Sequence, residues 1–138
     1  MTQLNAEFNQ EKECWVVLED FYNNETSCII PKDFKFNASI PRIFSPFIDP
    51  VELSLEAACV HDYLYKHAGK AVRVYLFSDK KNKKLFCFKS FLRVEADNIF
   101  YKIMNREKAF MWKRKAAYLS VRIFGRFVWE KRAKKASV

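Results

Sequence analysis

All four prolines of the chain, Pro31, Pro41, Pro46 and Pro50, fall within one stretch of twenty residues. Proline fixes φ and lacks a backbone N–H, so this stretch cannot be regular helix and reads as a stiff irregular segment. It divides the chain in two. Before it, Cys14 to Tyr22 and Thr26 to Pro31, separated by Asn23-Asn24-Glu25, predict a β-hairpin. After it, residues 54 to 69 read as a helix, with Ser54 at the N-cap and Gly69 past the C-terminus. The proline segment leads directly into that helix and is placed to form one wall of a cleft.

Farther along, Val72 to Phe77 and Leu85 to Phe91 predict a second hairpin, with the basic tip Asp79-Lys80-Lys81-Asn82-Lys83-Lys84. A helix is predicted over about 91 to 107 and a longer one over about Phe110 to Lys134. The expected architecture is α+β, a single domain over residues 1–138 in which an N-terminal and an inserted hairpin pack on about three helices. A chain of 138 residues has room for one core, and its aromatic content argues against disorder. No run of eighteen uncharged apolar residues offers a transmembrane span, and the acidic start (Glu7, Glu11, Glu13) does not read as a secretory signal. The expected location is accordingly a cytoplasm or a particle assembled there. Cys14, Cys28, Cys59 and Cys87 lack C-x-x-C spacing and are read as free thiols in a reducing compartment.

Charge is spread unevenly. Residues 106 to 138 carry eleven Lys or Arg against Glu107 and Glu130, and the rest of the chain is neutral, so the whole net charge of +9 is C-terminal. Within this region Trp112, Ala116, Leu119, Ile123 and Phe127 recur at helical spacing. Lys113, Lys115, Arg122, Arg126, Lys131 and Arg132 form the expected basic surface, and about 130–138 the expected basic tail. A basic helix rich in Trp and Phe suits an anionic membrane surface, nucleic acid or an acidic protein. A core helix with a solvated basic face fits the pattern equally well. The lysine-rich hairpin tip lacks interleaved aromatics, so a specific nucleic-acid site is not indicated.

The chemistry centres on His61-Asp62-Tyr63-Leu64-Tyr65 in the first helix and Arg93-Val94-Glu95-Ala96-Asp97 in the second. His61 and Tyr65 are four residues apart and share a helix face. Asp is a poor residue in a helix interior, so an Asp beside a His in an apolar stretch calls for a compensating partner. Asp97 is the natural one, since it begins the apolar pattern Asp97, Phe100, Tyr101, Met104. A bond from His61 to Asp97 would fix the imidazole tautomer and leave the other ring nitrogen free. The plainer reading is a structural network in which His61, Asp62, Asp97 and either Arg42 or Arg93 satisfy one another.

Several motifs in order carry a family resemblance: Pro31-Lys32-Asp33-Phe34, Ala38-Ser39-Ile40-Pro41-Arg42, Ala57-Ala58 with His61-Asp62-x-Leu64-Tyr65, Arg93-x-Glu95-Ala96-Asp97-x-x-Phe100, and Val121-Arg122-x-Phe124-Gly125. Over about residues 29 to 126 the chain resembles the phage and prophage family called domain of unknown function 1353. The resemblance implies a phage-encoded protein and no particular activity. Asp33 stands where that family usually has glycine.

His-Asp-x-x-Tyr on one helix and a distant Asp followed three residues later by Phe also resemble the catalytic helices of phospholipase A₂ enzymes. That resemblance implies His61 as base, Asp97 as its orienting carboxylate, Tyr65 as their hydrogen-bond neighbour, and calcium as cofactor on Asp62. The chain lacks those enzymes' glycine-rich calcium loop and their disulfides; Asn37, Ser39 and backbone carbonyls of the proline-rich segment are the candidates to substitute for that loop as metal ligands. Three functional classes stay open: a phospholipase-like hydrolase at a membrane surface, a non-enzymatic virion or tail-assembly component, and a phage binder of an acidic host protein.

Overall fold

The structure is a computed structural model and describes residues 3–37, 54–70, 72–77, 84–106 and 111–136. The α+β class holds: among the described residues, short antiparallel strands precede and interrupt three helices, the last of them long. In chain order the described elements are β1 (Ala6–Asn9), β2 (Cys14–Val17), β3 (Phe21–Tyr22), β4 (Ile29–Ile30), β5 (Lys35–Phe36), α1 (Leu55–Lys66), β6 (Val72–Phe77), β7 (Lys84–Lys89), α2 (Arg93–Arg106) and α3 (Met111–Ala136).

The N-terminal hairpin is only partly as predicted. Phe21 pairs with Ile30 and Tyr22 with Ile29, closing around Asn23 as expected. Cys14 to Val17, however, leaves that hairpin and forms the centre of a three-stranded sheet between β1 and β5. The chain breaks at Leu18-Glu19-Asp20, where the Asp20 carboxylate accepts the Lys32 backbone N–H and turns the strand away. Asp33 has φ +70°, a left-handed conformation that Asp is among the few non-glycine residues to tolerate.

The second hairpin matches its prediction, with Val72 opposite Lys89 and Phe77 opposite Lys84. A bridge from Cys28 to Val74 ties it to β4. Its lysine tip at residues 78–83, and Ser39, Pro41, Arg42, Pro46 and Pro50 of the proline segment, lie outside the described residues.

Helix α1 starts where Ser54 accepts the Ala57 N–H with its side chain, and it ends in a left-handed turn with Ala68 and Gly69 at φ +47° and +66°. Gly69 donates to the Leu64 carbonyl, and its own carbonyl accepts from Phe91 N–H, which fixes the entry to α2. The Glu95 carboxylate then accepts the Leu92 N–H and closes the first turn of α2, one half of a capping box.

Helices α1 and α2 run antiparallel. Near the start of α1, Glu56 meets Arg106 at the end of α2. The same corner holds the β3–β4 turn, because buried Asn23 donates to Glu56 and Glu25 pairs with Lys102 and Arg106. Between the elements lies one apolar core that includes Val17, Phe21, Ile30, Val60, Leu64, Val72, Ile103 and Met104.

Helix α3 packs in an unexpected orientation. The stripe Trp112, Leu119, Ile123 and Phe127 faces outward, and the small residues Ala117 and Ser120 are buried instead. The reason is the close approach at Gly125, where an added Cβ would collide with the Tyr65 hydroxyl and come within 3.0 Å of Tyr65 Cε2. Position 125 itself has no room for a side chain, while Trp129, one turn on, packs edge-on against the Tyr65 ring. The helix runs unbroken through Gly125 and stays helical to Ala136, through most of the stretch expected as a tail.

Gly69 is the position least able to accept a side chain, since a Cβ there would collide with the Phe91 carbonyl and reach 2.9 Å from the Trp129 ring. Gly69→Ala is expected to lower unfolding free energy by about 2 kcal/mol or more, measured by urea denaturation. Ala68→Gly, at the neighbouring left-handed residue, should be neutral or stabilising.

Candidate functional site

The first and second helices face each other so that His61 and Tyr65 of α1 both reach Asp97 of α2. The Asp97 side chain has no solvent exposure, and its two oxygens are divided between two tasks. Oδ1 meets His61 Nε2 at 2.9 Å and accepts the Tyr65 hydroxyl at 2.6 Å. Oδ2 accepts from Arg122 Nη1 of α3 at 2.8 Å and from Arg93 Nη1 at 3.4 Å. Arg93 also donates to the carbonyls of Val121 and Arg122, so it links the first turn of α2 to the middle of α3.

Burial alone would raise the Asp97 pKa. Hydrogen bonds from His61, Tyr65 and Arg122 outweigh it and hold the carboxyl below the ordinary range. An ionised carboxylate only accepts, so His61 Nε2 must donate, and a neutral His61 then carries a bare Nδ1. No described residue bonds Nδ1. The imidazole lies against Tyr65 and Phe100, with ring centroids 4.1 and 4.7 Å away. Burial and the Asp97 charge push the Tyr65 hydroxyl pKa upward, which keeps it a donor.

Asp62 lies next to His61 in sequence, yet it turns toward a different neighbour. Its Oδ2 accepts the backbone N–H of Asn37 at 2.9 Å, which pins the end of the loop after β5 to α1. Burial pushes its pKa up to about 7, with the Asn37 N–H opposing. Two carboxylates on adjoining helices are thus shifted in opposite directions: Asp97 is held below the ordinary range by its donors, while burial raises Asp62, which carries a single described hydrogen bond.

The structure therefore brings together His61, Tyr65 and Asp97, and places Asp62 against Asn37. Asn37 meets Asp62 with a donor, where a calcium ligand would present an oxygen. Calcium takes six to eight oxygens, and among the described residues no group of three or more His, Cys, Asp or Glu gathers. The described residues do not fit a calcium shell.

Of the expected basic surface, Lys115, Arg126, Lys131 and Arg132 are exposed and Lys113 is partly so. Arg122 turns inward to Asp97. Residue periodicity missed that role, and the only sequence signal for it was the motif Val121-Arg122-x-Phe124-Gly125. Phe100, expected on an apolar face and in both motif resemblances, is a wall of the site, its ring 4.7 Å from that of His61. Cys28 and Cys59 are free and buried, and burial raises both thiol pKa values, that of Cys28 to about 11.

The two carboxylates should act oppositely on stability. Asp62 has a folded pKa above its unfolded value of about 4, so its contribution is full below pH 4 and is lost as pH rises through about 7. The Asp97 pKa is depressed, so its contribution is present above about pH 4 and is lost on further acidification. Melting temperatures from pH 3 to 8 should fall on both sides of a maximum near pH 4 to 5 in the share due to this pair. Asp62→Asn should flatten the limb between pH 4 and 7 and leave the acid limb in place. Gly125→Ala should cost about 1–3 kcal/mol by driving Tyr65 off Asp97, seen as lower stability in urea.

Comparison with curated proteins and with solved structures returned no match. A family model does match, over residues 15–121, which takes in β2 through the first part of α3 and every residue of the Asp97 network except Arg122. The chain belongs to the family described as Protein of unknown function (DUF1353).

Proposed function

We propose that the chain is a small phage-encoded hydrolase in which His61 is the general base and an acyl ester of a phospholipid is the substrate. The observation that carries this reading is the bond from Asp97 Oδ1 to His61 Nε2, with Nδ1 left without a described partner. A water hydrogen-bonded to Nδ1 would attack the ester carbonyl as Nδ1 takes its proton. The imidazolium formed would be stabilised by Asp97, and its proton would pass to the departing alkoxide. Tyr65 keeps Asp97 aligned through the 2.6 Å bond to the same oxygen, so it is a positioning residue. Phe100 limits water around the ring. The sequence resemblance to phospholipase A₂ supports the substrate class. No step is assigned to calcium, which Asp62 alone does not hold.

A second reading, a non-enzymatic virion or tail-assembly part, is favoured by one specific observation. Asp97 is completely satisfied by donors from all three helices, which is what a structural clamp requires.

The two readings separate on fatty-acid release from mixed anionic and zwitterionic vesicles, run with calcium and with chelator. For a hydrolase, His61→Ala should cut release by about 100-fold or more, with urea stability changed far less. Tyr65→Phe should reduce the rate while shifting its pH profile. If folded native chain releases no fatty acid under either condition, and His61→Ala chiefly costs about 1–3 kcal/mol of stability, the hydrolase reading is wrong and the clamp reading stands.

A further inference from the structure

We infer that the outer face of α3 is a docking surface for an anionic lipid bilayer. The packed side of this helix joins small or tied residues to one large ring: Ala117 and Ser120 are buried, Gly125 lies against Tyr65, Arg122 is bonded to Asp97, and Trp129 packs on the core with its ring 5.0 Å from that of Tyr65. Much of the rest of the helix surface is apolar and exposed. Trp112, Leu119, Ile123 and Phe127 are 57, 56, 61 and 73 % exposed. At about 100° per residue these four fall on one stripe, and from Trp112 to Phe127 it runs about 22 Å at 1.5 Å per residue.

Charge supplies the second observation. On the same helical wheel, Lys115 and Arg126 border the stripe on one side; on the other, Lys113 and Lys131 lie near its two ends, and exposed Phe124 and Val128 widen the apolar surface between them. Over Met111–Ala136 there are nine Lys or Arg and one acidic residue, Glu130, which is paired with Arg126. An apolar stripe edged on both sides by cations suits a helix lying in the headgroup boundary, where long basic side chains reach phosphates and rings enter the acyl region.

Competing occupants fit less well. A second copy of the chain would bring two strongly cationic helices together, which opposes self-association. Protein interfaces are depleted in lysine, yet three of the four bordering cations are lysines. Nucleic acid would meet the cations but leave Ile123 and Phe127 in water.

Such docking places α3 between the bilayer and the His61 network. Tyr65 and Asp97 then lie about one helix diameter, roughly 10 Å, from the surface. This inference rests on α3 alone and does not depend on hydrolysis at His61.

The test is binding of the full chain to vesicles of ether-linked lipids, which present headgroups without a cleavable ester. One set is phosphatidylcholine alone and the other contains 30 % phosphatidylglycerol. Co-sedimentation is expected on the anionic set, weakening with salt, with a blue shift in tryptophan emission that Trp112→Phe removes. Ile123→Ser with Phe127→Ser should weaken binding at least about tenfold with circular dichroism and melting unchanged, since both side chains are exposed. Lys115→Glu with Lys131→Glu should weaken binding to the anionic set. The inference is overturned if native chain does not bind anionic vesicles, if the double serine variant binds as well as native, or if sedimentation velocity shows a dimer that the double serine variant abolishes.

Discussion

A carboxylate with no solvent exposure is the constraint around which the helices are arranged. Removing an ionised Asp97 from water costs several kcal/mol unless its oxygens are bonded, and the donors that bond them come from α1, α2 and α3 together. Displacing any one helix would leave part of that charge uncompensated. Arg93 adds to the effect by bonding two carbonyls of α3 while it touches Asp97, so the start of α2 is held against the middle of α3. At the far end of the antiparallel pair, Asn23, Glu56 and Arg106 form a second polar corner that holds the β3–β4 turn to both helices. The apolar core between them supplies most of the driving force, and the two polar clusters fix register.

The same Asp97 contacts that position helices also determine what His61 is able to do. Oδ2 is given over to the arginines and Oδ1 to the imidazole and the phenol, so the carboxylate stays charged and Nδ1 of His61 is the nitrogen that no described residue bonds. Asp62, next to His61, is shifted the other way, since burial raises it and one Asn37 N–H opposes. Environment, and not residue type, separates these two aspartates.

The third helix illustrates how sterics at one point decide an orientation. Tyr65 must reach Asp97, and its ring fills the space that α3 would otherwise take. Only a glycine at 125 lets the backbone pass, while Val121 and Trp129, one turn before and after it, pack against the core. Most of the other large apolar residues are left outward, among lysines and arginines.

Much of the local structure was legible in the chain. Ser54 and Gly69 mark the ends of α1 because a side-chain acceptor and a left-handed residue are chemically required there. Alternating apolar residues in β6 and β7 identify their hairpin. The partnership of His61 with Asp97 followed from the cost of burying an aspartate alone; four-residue spacing put Tyr65 on the same face, and its bond to Asp97 was what the motif resemblance implied. Three things were not legible. Cys14–Val17 chose β1 and β5 over β3's partner because strand pairing is settled by contacts between distant segments, which residue pattern does not rank. Arg122 read as surface because an arginine's reach toward a buried charge depends on which helix lies beneath it. The apolar stripe of α3 set the helical period but not the side that meets the core, since an amphipathic pattern is indifferent to what it faces. Sequence alone determined the elements and the candidate acid-base pair, through caps, spacing and the energetics of isolated charges. Tertiary structure alone decided pairing, the orientation of α3 and the fourfold bonding of Asp97, because each depends on which distant groups share one volume.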